Sequence, residues 1–379
     1  MRVGLIIYGS LDTLSGGYLY DRKLVEYLRS QGDTVEVISL RWRNYASHLM
    51  DNLHFRLPSV VARRVPSPTT LAPHASAGEQ SPIDKSFDIL IQDELNHPSL
   101  IFANRGRHPY PIISLVHHLR CSERRPAWQN IFYRWVEQKY LRSVDGFIFN
   151  SRTTEDVVNR LVENRKPSIV AFPPTDRFGE PISEQEITGR AKSAELRILF
   201  LGNLIYRKGL HTLLEAVSSQ HSSLRIDVVG SLTSEPQYAK QIQKFIAHND
   251  LASFVSLHGS LDREPLIEKL KNAHVLVVPS SYEGFGIVYL EGMCFGLPAI
   301  GTTAGAAGEI ITDGVDGFLI KPENPRALAD KLNILSEQRE ILLQMSLAAR
   351  ARYMRQPKWE ETAGRIREFL LKQMNEFSV

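Results

Sequence analysis

One stretch of the sequence, from Pro279 to Met293, combines an acidic loop, glycines and the start of a helix. An apolar strand ends at Pro279, and a helix is predicted to begin at Gly286 or Ile287. The first amides of a helix have no partner inside it, so they can bind an anion such as a diphosphate. Glycines allow the backbone to approach that anion closely. The residues predicted to line this anion site are Gly284, Phe285, Gly286, Ile287 and Val288.

Two carboxylates, Glu283 and Glu291, flank this anion site and stand eight positions apart. Because carboxylates repel an anion, their presence calls for another ligand group, and hydroxyls would supply it. Glu291, one turn into the helix, can accept hydrogen bonds from two vicinal hydroxyls such as those of a ribose. Glu283 lies beyond the phosphates, where a sugar would bind. The alternative is a pair of solvated acids at a helix end, but the strand–loop–helix setting favours a ligand site.

A basic loop follows the strand Leu196–Leu201 and runs from Gly202 to Gly209. It contains Arg207 and Lys208, and an arginine fork beside a mobile lysine charge suits a diphosphate. Gly202 and Asn203, at the start of the loop, are assigned to the same ligand site. A surface turn with two solvated cations explains the loop by itself equally well.

The N-terminal half offers a histidine pair and a glycine pair. His117 and His118 follow the strand Ile112–Val116, where a side chain can face a cleft and hydrogen-bond a sugar hydroxyl or a phosphate. Gly16 and Gly17 lie in the first strand–helix loop and allow backbone contact with a ligand. The alternatives are a histidine satisfied by the backbone and a plain turn. The glycines do not form a G-x-G-x-x-G fingerprint, which argues against a nicotinamide cofactor.

The elements that must position these residues follow a strand–helix rhythm. Short apolar runs predict buried strands such as Arg2–Tyr8 in the first half and Leu196–Leu201 in the second. Strand–helix–strand units give right-handed parallel crossovers. The sequence therefore predicts an α/β fold of two doubly wound parallel-sheet units in tandem.

The predicted boundaries are 1–175 for the first domain, 190–355 for the second and 356–379 for a C-terminal helix. A linker is expected from Pro173-Pro174 to about residue 194. Residues 41–85 contain five prolines. They predict an irregular excursion with one helix near 45–57 and then a loop.

The composition of the 379-residue chain excludes several classes of protein. Its 45 basic and 42 acidic residues give a net charge of +3, a balance that argues against nucleic acid as a partner. The two cysteines, Cys121 and Cys294, make neither a disulfide framework nor a zinc site, which favours a cytoplasmic protein. No run reaches about 18 apolar residues, so no membrane span is predicted.

Together these motifs resemble family 4 of the retaining glycosyltransferases, which have the GT-B fold. Glu283 and Glu291 match the E-x7-E motif of that family, and Arg207 and Lys208 match its basic loop. Further matches are Pro279-Ser280, Gly284-Phe285-Gly286, Gly296-Leu297-Pro298, and Glu309 with Gly314 and Gly317. One departure is Gly305-Ala306-Ala307-Gly308, where many members carry a bulkier sequence. The resemblance covers nearly the whole chain and is strongest from about residue 196 to 321.

The resemblance implies two Rossmann-like domains that face across a cleft, with the acceptor domain first and the nucleotide-sugar donor domain second. It also implies that the C-terminal helix returns to the N-terminal domain. Glu291 would contact the donor ribose, and Glu283 the transferred sugar. His117 matches the cleft histidine that contacts the donor sugar, and Gly16 and Gly17 match a glycine-rich loop on the acceptor side. The implied catalytic residues are His117, Glu283, Arg207 and Lys208.

The implied reaction moves a sugar from a UDP-, GDP- or ADP-type donor to a hydroxyl of a glycan, lipid or small molecule, with the anomeric configuration kept. Arg207, Lys208 and the helix N-terminus would stabilise the leaving diphosphate in place of a metal. We therefore expect no metal and no cofactor. Front-face attack fits better than a protein nucleophile. The alternatives on the same fold are a nucleotide-sugar epimerase, a phosphorylase or a non-catalytic nucleotide-sugar-binding subunit.

Residues 124–142 mix arginine, lysine and aromatic side chains. A helix of this kind can rest on an anionic membrane and receive a lipid-linked acceptor, which would place the protein at the inner face of the membrane. Glu137 and the need to pack Trp, Phe and Leu into a core favour an ordinary buried helix over this peripheral contact.

Overall fold

The first half of the chain folds into a six-stranded parallel sheet. The computed structural model describes residues 1–13, 15–53, 87–105, 108–163, 165–174, 176–218 and 224–377. The strands are β1 (Arg2–Tyr8), β2 (Thr34–Leu40), β3 (Ile89–Asp93), β4 (Ile112–Val116), β5 (Gly146–Phe149) and β6 (Ser168–Val170). Their spatial order is β2-β1-β3-β4-β5-β6. The helices of this half are α1 (Gly16–Ser30), α2 (Tyr45–Asp51), α3 (His97–Leu100), α4 (Ala127–Leu141) and α5 (Arg152–Val162).

The second half repeats the arrangement with another six-stranded sheet. Its strands are β7 (Leu196–Leu201), β8 (Leu224–Val229), β9 (Val255–Gly259), β10 (Val275–Val277), β11 (Ala299–Thr302) and β12 (Gly317–Ile320), in the order β12-β11-β10-β7-β8-β9. Its helices are α6 (Glu184–Ala191), α7 (Leu210–Val217), α8 (Pro236–His248), α9 (Arg263–Asn272), α10 (Ile287–Cys294), α11 (Pro325–Glu337) and α12 (Arg339–Met354). Neighbouring strands of both sheets are parallel.

The first sheet is buried on both faces because its apolar strands are covered by helices on either side. Ile6 and Tyr8 of β1 belong to one core, and Leu5 and Ile7 to the other, as the alternation of side chains along a strand requires. Parallel sheets need this double cover. The predicted pair of doubly wound units is thereby confirmed.

The last helix, α13 (Trp359–Phe377), packs on the first half of the chain. Its buried side chains Trp359, Ala363, Ile366 and Leu370 recur at helical spacing and join the core that contains Leu24 of α1. The chain thus crosses to the second sheet and returns, as expected. The numerical domain boundaries stay predictions.

The expected linker is more structured than the sequence analysis predicted. Helix α6 begins at a capping box, in which Ser183 and Glu186 satisfy each other's backbone amides. Ile182 and Ile187 pack into the core of the second sheet. Polar residues outnumber apolar ones here, and the two buried isoleucines were too sparse to show a helical period.

The irregular excursion can be compared only in part. Helix α2 spans Tyr45–Asp51, the first half of the helix expected near 45–57. The remainder of that helix and the proline-rich loop after it lie outside the described residues. Strand β6 was not predicted, since its three residues are too few to show a period.

Candidate functional site

Helix α10 begins at the carboxyl end of β10, with its first amides open. Gly286 is its N-cap residue at φ +95°, and no side chain caps the helix. A side chain at Gly286 would meet the ring of Tyr289 at 2.6 Å, so glycine is required both for the backbone angle and for space. Tyr289 is held by a hydrogen bond from its hydroxyl to the Val278 carbonyl, 2.8 Å. The first turn therefore keeps unpaired N–H groups that can bind an anion.

Glu283 is buried among donors just before this helix. Lys208 Nζ forms an ion pair with Glu283 Oε1. Ser280 Oγ donates to the same oxygen at 3.0 Å, and Arg207 Nη1 lies 3.4 Å from it. Burial alone would raise the pKa of Glu283, but the neighbouring Lys208 and Arg207 outweigh it and lower the pKa. The acid is therefore ionised and already hydrogen-bonded.

The two cations share one 3-10 turn, Tyr206–Lys208, that follows β7. Arg207 donates from Nη1 to the Tyr282 carbonyl at 2.7 Å, which ties this turn to the Glu283 loop. Burial lowers the pKa of Lys208, and Glu283 opposes that shift. Lys208 and Glu283 belong to separate sequence motifs and are 75 residues apart, yet in the structure they form one cluster with Arg207.

Gly202 and Asn203 have structural contacts at the start of the basic loop. The methylenes of Lys208 lie about 3.5 Å from where a side chain at Gly202 would begin. Asn203 Oδ1 accepts a hydrogen bond from the Ser231 amide at 3.1 Å. The oxygen of Asn203 therefore joins the loops after β7 and β8. A ligand contact of Asn203 stays a prediction.

Glu291 has a partner that the sequence analysis missed. Arg177 Nη1 lies 2.6 Å from Glu291 Oε1. Burial raises the pKa of Glu291, and Arg177 opposes the rise. Arg177 comes from a 3-10 turn, Asp176–Phe178, in the expected linker. No local pattern identified it, because the two residues are 114 positions apart.

The N-terminal side of the site contains a buried acidic cluster around His117. His117 Nε2 lies 3.2 Å from Asp21 Oδ1, and the His117 amide donates to Glu94 Oε2 at 2.9 Å. Burial raises the pKa of Asp21 to about 7 and the pKa values of Asp93 and Glu94 well above their usual range. The raised pKa of Asp93, caused first by burial and then by the nearby Asp21, favours its protonated form, which can donate a hydrogen bond to Asp21.

Sequence reasoning missed these three acids, although one signal was available. Asp93 and Glu94 directly follow the buried strand β3, at the sheet edge where His117 follows β4. Adjacent parallel strands bring such positions together. Asp21 had no comparable signal, since it lies within α1 and reaches His117 only through the packing of that helix.

The predicted residues of the two halves meet across the cleft. A side chain at Gly284 would lie 2.6 Å from the His117 carbonyl, so the loop before α10 touches the residue that follows β4. A side chain at Gly16 would lie 3.4 Å from Ile287 at the start of α10, and one at Gly17 would lie 3.3 Å from the His117 ring. The N-termini of α1 and α10 thus face the same space.

His118 lies beside this space with a partner of its own. Its Nε2 is 2.8 Å from Glu123 Oε1. Glu123 is also 4.0 Å from Arg207 Nε, across the cleft. Although burial opposes the shift, His118 and then Arg207 and Arg125 lower the pKa of Glu123 to about 2. The pair therefore connects the histidine side of the cleft to the basic turn.

Ligand atoms of Asp21, Asp93 and His117 lie within 4.8 Å of one another, and within the described residues they are the one trio spaced closely enough for a cation. A protonated Asp93 beside Asp21, with the contact of Asp21 to His117, is an alternative to a cation for this spacing. The expectation of no metal stays a prediction.

Comparison with known proteins agrees with this geometry on both halves of the chain. A family model described as Glycosyltransferase Family 4 matches residues 20–176, and one described as Glycosyl transferases group 1 matches residues 183–352. The chain belongs to glycosyltransferase family 4. The cluster of Glu283 with Arg207 and Lys208 lies in the second matched segment, and His117 lies in the first.

Curated relatives of this family 4 member match it to different extents. An uncharacterised glycosyltransferase of Methanocaldococcus jannaschii is 34% identical over 143 residues, which is 38% of the chain and 39% of that relative. A phosphatidyl-myo-inositol mannosyltransferase of Mycobacterium leprae is 25% identical over 97% of the chain and 95% of its own length. The chain spans between 39% and 57% of the length of the first three relatives it matches.

Solved structures establish the fold of the family 4 member as GT-B. A sucrose-phosphate synthase from Thermosynechococcus elongatus superposes with a TM-score of 0.77 at 20% identity, over 99% of both chains. The Anabaena protein HepE, solved with UDP-glucose, gives a TM-score of 0.70 at 17% identity, over 98% of this chain and all of HepE.

Proposed function

We propose that this family 4 member is a retaining glycosyltransferase, which moves a sugar from a nucleoside-diphosphate sugar to an acceptor hydroxyl. One observation carries the proposal. Arg207, Lys208 and Glu283 converge at the open N-terminus of α10, and that N-terminus faces the start of α1 across the cleft. Two cations and unpaired amides beside an ionised acid suit a diphosphate that carries a hydroxyl-rich group.

The leaving diphosphate gains negative charge as the bond to the sugar breaks. Arg207 and Lys208 are placed beforehand, so they can stabilise that charge without reorganisation. Glu283 is a weak base, because its pKa is lowered by the same cations. The lowered pKa favours a role in which Glu283 accepts a hydrogen bond from a hydroxyl of the transferred sugar over a role as nucleophile. Retention then follows from attack on the front face, with the leaving phosphate taking the acceptor proton.

The ribose of the donor is assigned to Glu291. In this structure Arg177 contacts Oε1 of that carboxylate, and the proposal assigns the second oxygen to a vicinal hydroxyl. A donor would share or replace the Arg177 contact. The solved complex of HepE with UDP-glucose supports a nucleotide sugar as donor class. A UDP-, GDP- or ADP-type donor fits these contacts.

The reaction is proposed to need no metal and no cofactor. The positive charge that a cation would supply is already present in the basic turn Tyr206–Lys208. Activity is expected to persist in excess chelator. Its full loss there, with recovery on adding a divalent cation, would refute metal independence.

The first experiment measures binding and slow hydrolysis of UDP-, GDP- and ADP-sugars. Wild type is compared with Arg207→Ala and Glu291→Ala, and Arg225→Ala is the matched control. Arg225 is an exposed arginine of the same domain that pairs only with Glu195 among the described residues. Wild type and the control are expected to bind and hydrolyse one class of donor, and both site variants to lose it.

Three outcomes would contradict the proposal. If no nucleotide sugar binds, the site takes another phosphorylated ligand. If a donor binds but is never hydrolysed or transferred, the chain is a binding subunit. If the sugar of the recovered donor has changed configuration, the chain is an epimerase.

A further inference from the structure

The outer face of helix α4 carries large apolar side chains that nothing in the described part of the chain covers. Trp128, Ile131, Phe132 and Trp135 are 69%, 68%, 41% and 56% exposed. Their spacing of three, four and seven residues places them on one face of the helix. The expectation that the Trp, Phe and Leu side chains of this segment pack into a core is wrong for Trp128, Phe132 and Trp135, while Leu141 is buried as expected.

The opposite face of α4 already fills the core. Val136, Tyr140 and Leu141 are buried there, and Glu137 accepts hydrogen bonds from the Arg120 and Cys121 amides. Helix α4 is therefore apolar on both sides, and packing on the sheet satisfies only one of them. An exposed apolar stripe of this size on a folded domain indicates an interaction surface.

Apart from the buried Glu137, the charged side chains of α4 and of the residue after it have one sign. Arg134, Lys139 and Arg142 lie on the same helix or at its end, and none has a carboxylate partner within the described residues. Lys139 Nζ lies 6.0 Å from the centre of the Trp135 ring. The acids of this segment, Glu123 and Glu137, turn inward to satisfy neighbouring groups.

From this surface we propose that the outer face of α4 docks on an anionic lipid bilayer. Tryptophan prefers the headgroup region of a bilayer, and lysine and arginine are attracted to anionic lipids. A helix with an apolar stripe beside free cations lies in the plane of such an interface. A second copy of the chain fits less well, because it would bring the same cations against each other.

The docking face is connected to the cleft by a short path. His118 of the cleft pairs with Glu123, and α4 begins four residues later at Ala127. A bilayer under α4 would thus place lipid headgroups beside the N-terminal half of the cleft. Only the use of this arrangement, delivery of a membrane-bound acceptor hydroxyl, rests on the proposed function; the docking does not.

No helix in the described part of the chain is long and apolar enough to cross a bilayer. Association through α4 would therefore be peripheral and reversible. It should weaken with salt, because the attraction to anionic headgroups is screened. A location at the inner face of a membrane is part of the same proposal.

The test is flotation with vesicles of phosphatidylcholine, with and without phosphatidylglycerol. Wild type is expected to float with the anionic vesicles and to be released by salt. A triple variant without the apolar stripe should lose about tenfold in partitioning. A matched control changes exposed apolar residues elsewhere, and a third variant removes the cations and should lose only the preference for phosphatidylglycerol. The stripe variant combines Trp128→Ser, Ile131→Ser and Trp135→Ser, and the control combines Val315→Ser and Met354→Ser. The cation variant combines Arg134→Ala, Lys139→Ala and Arg142→Ala.

The altered side chains are exposed, so unchanged circular dichroism and thermal midpoints are expected to show that every variant folds. Donor hydrolysis in solution should equal wild type in the stripe variant, which separates this proposal from the proposed function. Equal flotation of wild type and the stripe variant would overturn it, as would no flotation of either. Analytical ultracentrifugation that shows a wild-type dimer and a monomeric stripe variant would assign the face to a second copy instead.

Discussion

Residue scale. Glu283 is the centre of the proposed donor-sugar site, because Lys208, Ser280 and Arg207 all meet at one of its oxygens. Lys208 is the closest of them and is buried beside Glu283. In the free protein its charge is partly balanced by Glu283, which weakens its attraction for a ground-state diphosphate without any need for the side chain to move. The expected role of Lys208 is therefore in the transition state, where phosphate charge is greatest.

Lys208→Gln tests that role. The uncharged side chain is expected to lower kcat by a factor of about 100 to 1,000, the usual effect of removing one stabiliser of developing charge, with a smaller change in KM. Initial rates across donor concentration separate the two constants. Lys240→Gln, an exposed lysine on α8, is the control and should match wild type. If kcat is unchanged and only KM rises, Lys208 is a ground-state binding group and the predicted role is wrong.

The acidic cluster beneath His117 predicts a pH dependence of stability. Burial raises the pKa of Asp21 from 3.8 to about 7, so the folded protein keeps a proton that the unfolded chain releases. The contribution of Asp21 is therefore favourable at low pH and is lost as pH rises from about 4 to about 7. Asp21→Asn has no such proton to lose. As pH is raised from 5 to 8, the free energy of unfolding of Asp21→Asn should therefore rise by roughly 2–4 kcal/mol relative to that of wild type.

Denaturant unfolding at the two pH values measures this difference. Asp262→Asn, at an exposed position before α9, is the control, and its stability should change with pH in parallel with wild type. A parallel change in Asp21→Asn as well would show that Asp21 is ionised in the folded protein at both pH values.

Element scale. The N-terminus of α5 is capped from the other domain. Glu309, in the 3-10 turn Ala306–Glu309, accepts hydrogen bonds from the amides of Arg152 at 2.9 Å and Thr153 at 2.7 Å, and one from the Thr153 hydroxyl. Ser151 Oγ also donates to the Gly284 carbonyl at 2.9 Å. A carboxylate at a helix N-terminus is stabilised by the free amides and the helix dipole. This contact therefore holds the two sheets in the closed arrangement that brings His117 against Gly284.

Glu309→Gln keeps the shape of the side chain and removes its charge. Charged hydrogen bonds contribute about 1.5–3 kcal/mol, so the equilibrium constant between the closed and the open arrangement should fall roughly 10- to 100-fold. Small-angle X-ray scattering is expected to show a larger radius of gyration, and donor binding should weaken. Glu337→Gln, exposed on α11, is the control. An unchanged radius with normal donor binding would mean that other contacts hold the cleft closed.

Whole-molecule scale. The last helix, α13, contacts the first half of the chain at two separate points. After the second sheet is complete, α13 crosses back, and Arg367 on this helix pairs with the buried Asp33 before β2 at 2.7 Å. Tyr20 links the same helix to the site, since its ring lies 5.1 Å from the Trp359 ring and 5.4 Å from the His117 ring. The stability of the first half of the chain therefore depends on residues of α13, more than 300 positions away in the sequence.

Leu370→Ala tests this dependence. Leu370 is fully buried in the core shared with α1, so the cavity should cost about 2–5 kcal/mol. Hydrogen exchange is expected to accelerate in β1 and α1, while the second sheet keeps its protection. Glu368→Ala, exposed on the same helix, is the control. Equal acceleration in both sheets would show that the halves unfold as one unit.

The sequence by itself determined the two sheets and the main motifs of the donor site. Strands Ile112–Val116, Gly146–Phe149 and Leu196–Leu201 have the predicted bounds, because a buried parallel strand is a short apolar run that local periodicity reveals. The anion site at α10 was equally local, since its glycines and Glu283 and Glu291 lie within one strand–loop–helix unit.

Only the tertiary structure decided which distant groups complete the site and which face of a helix is left open. Arg177 reaches Glu291 over 114 positions, and Asp21 reaches His117 over 96. Such contacts depend on how whole elements pack, and no local period encodes that. Helix α4 is apolar on two faces, so its sequence could not tell whether Val136 or Trp135 would meet the sheet. Packing on the sheet has room for only one of them, and the other face stays exposed among the described residues.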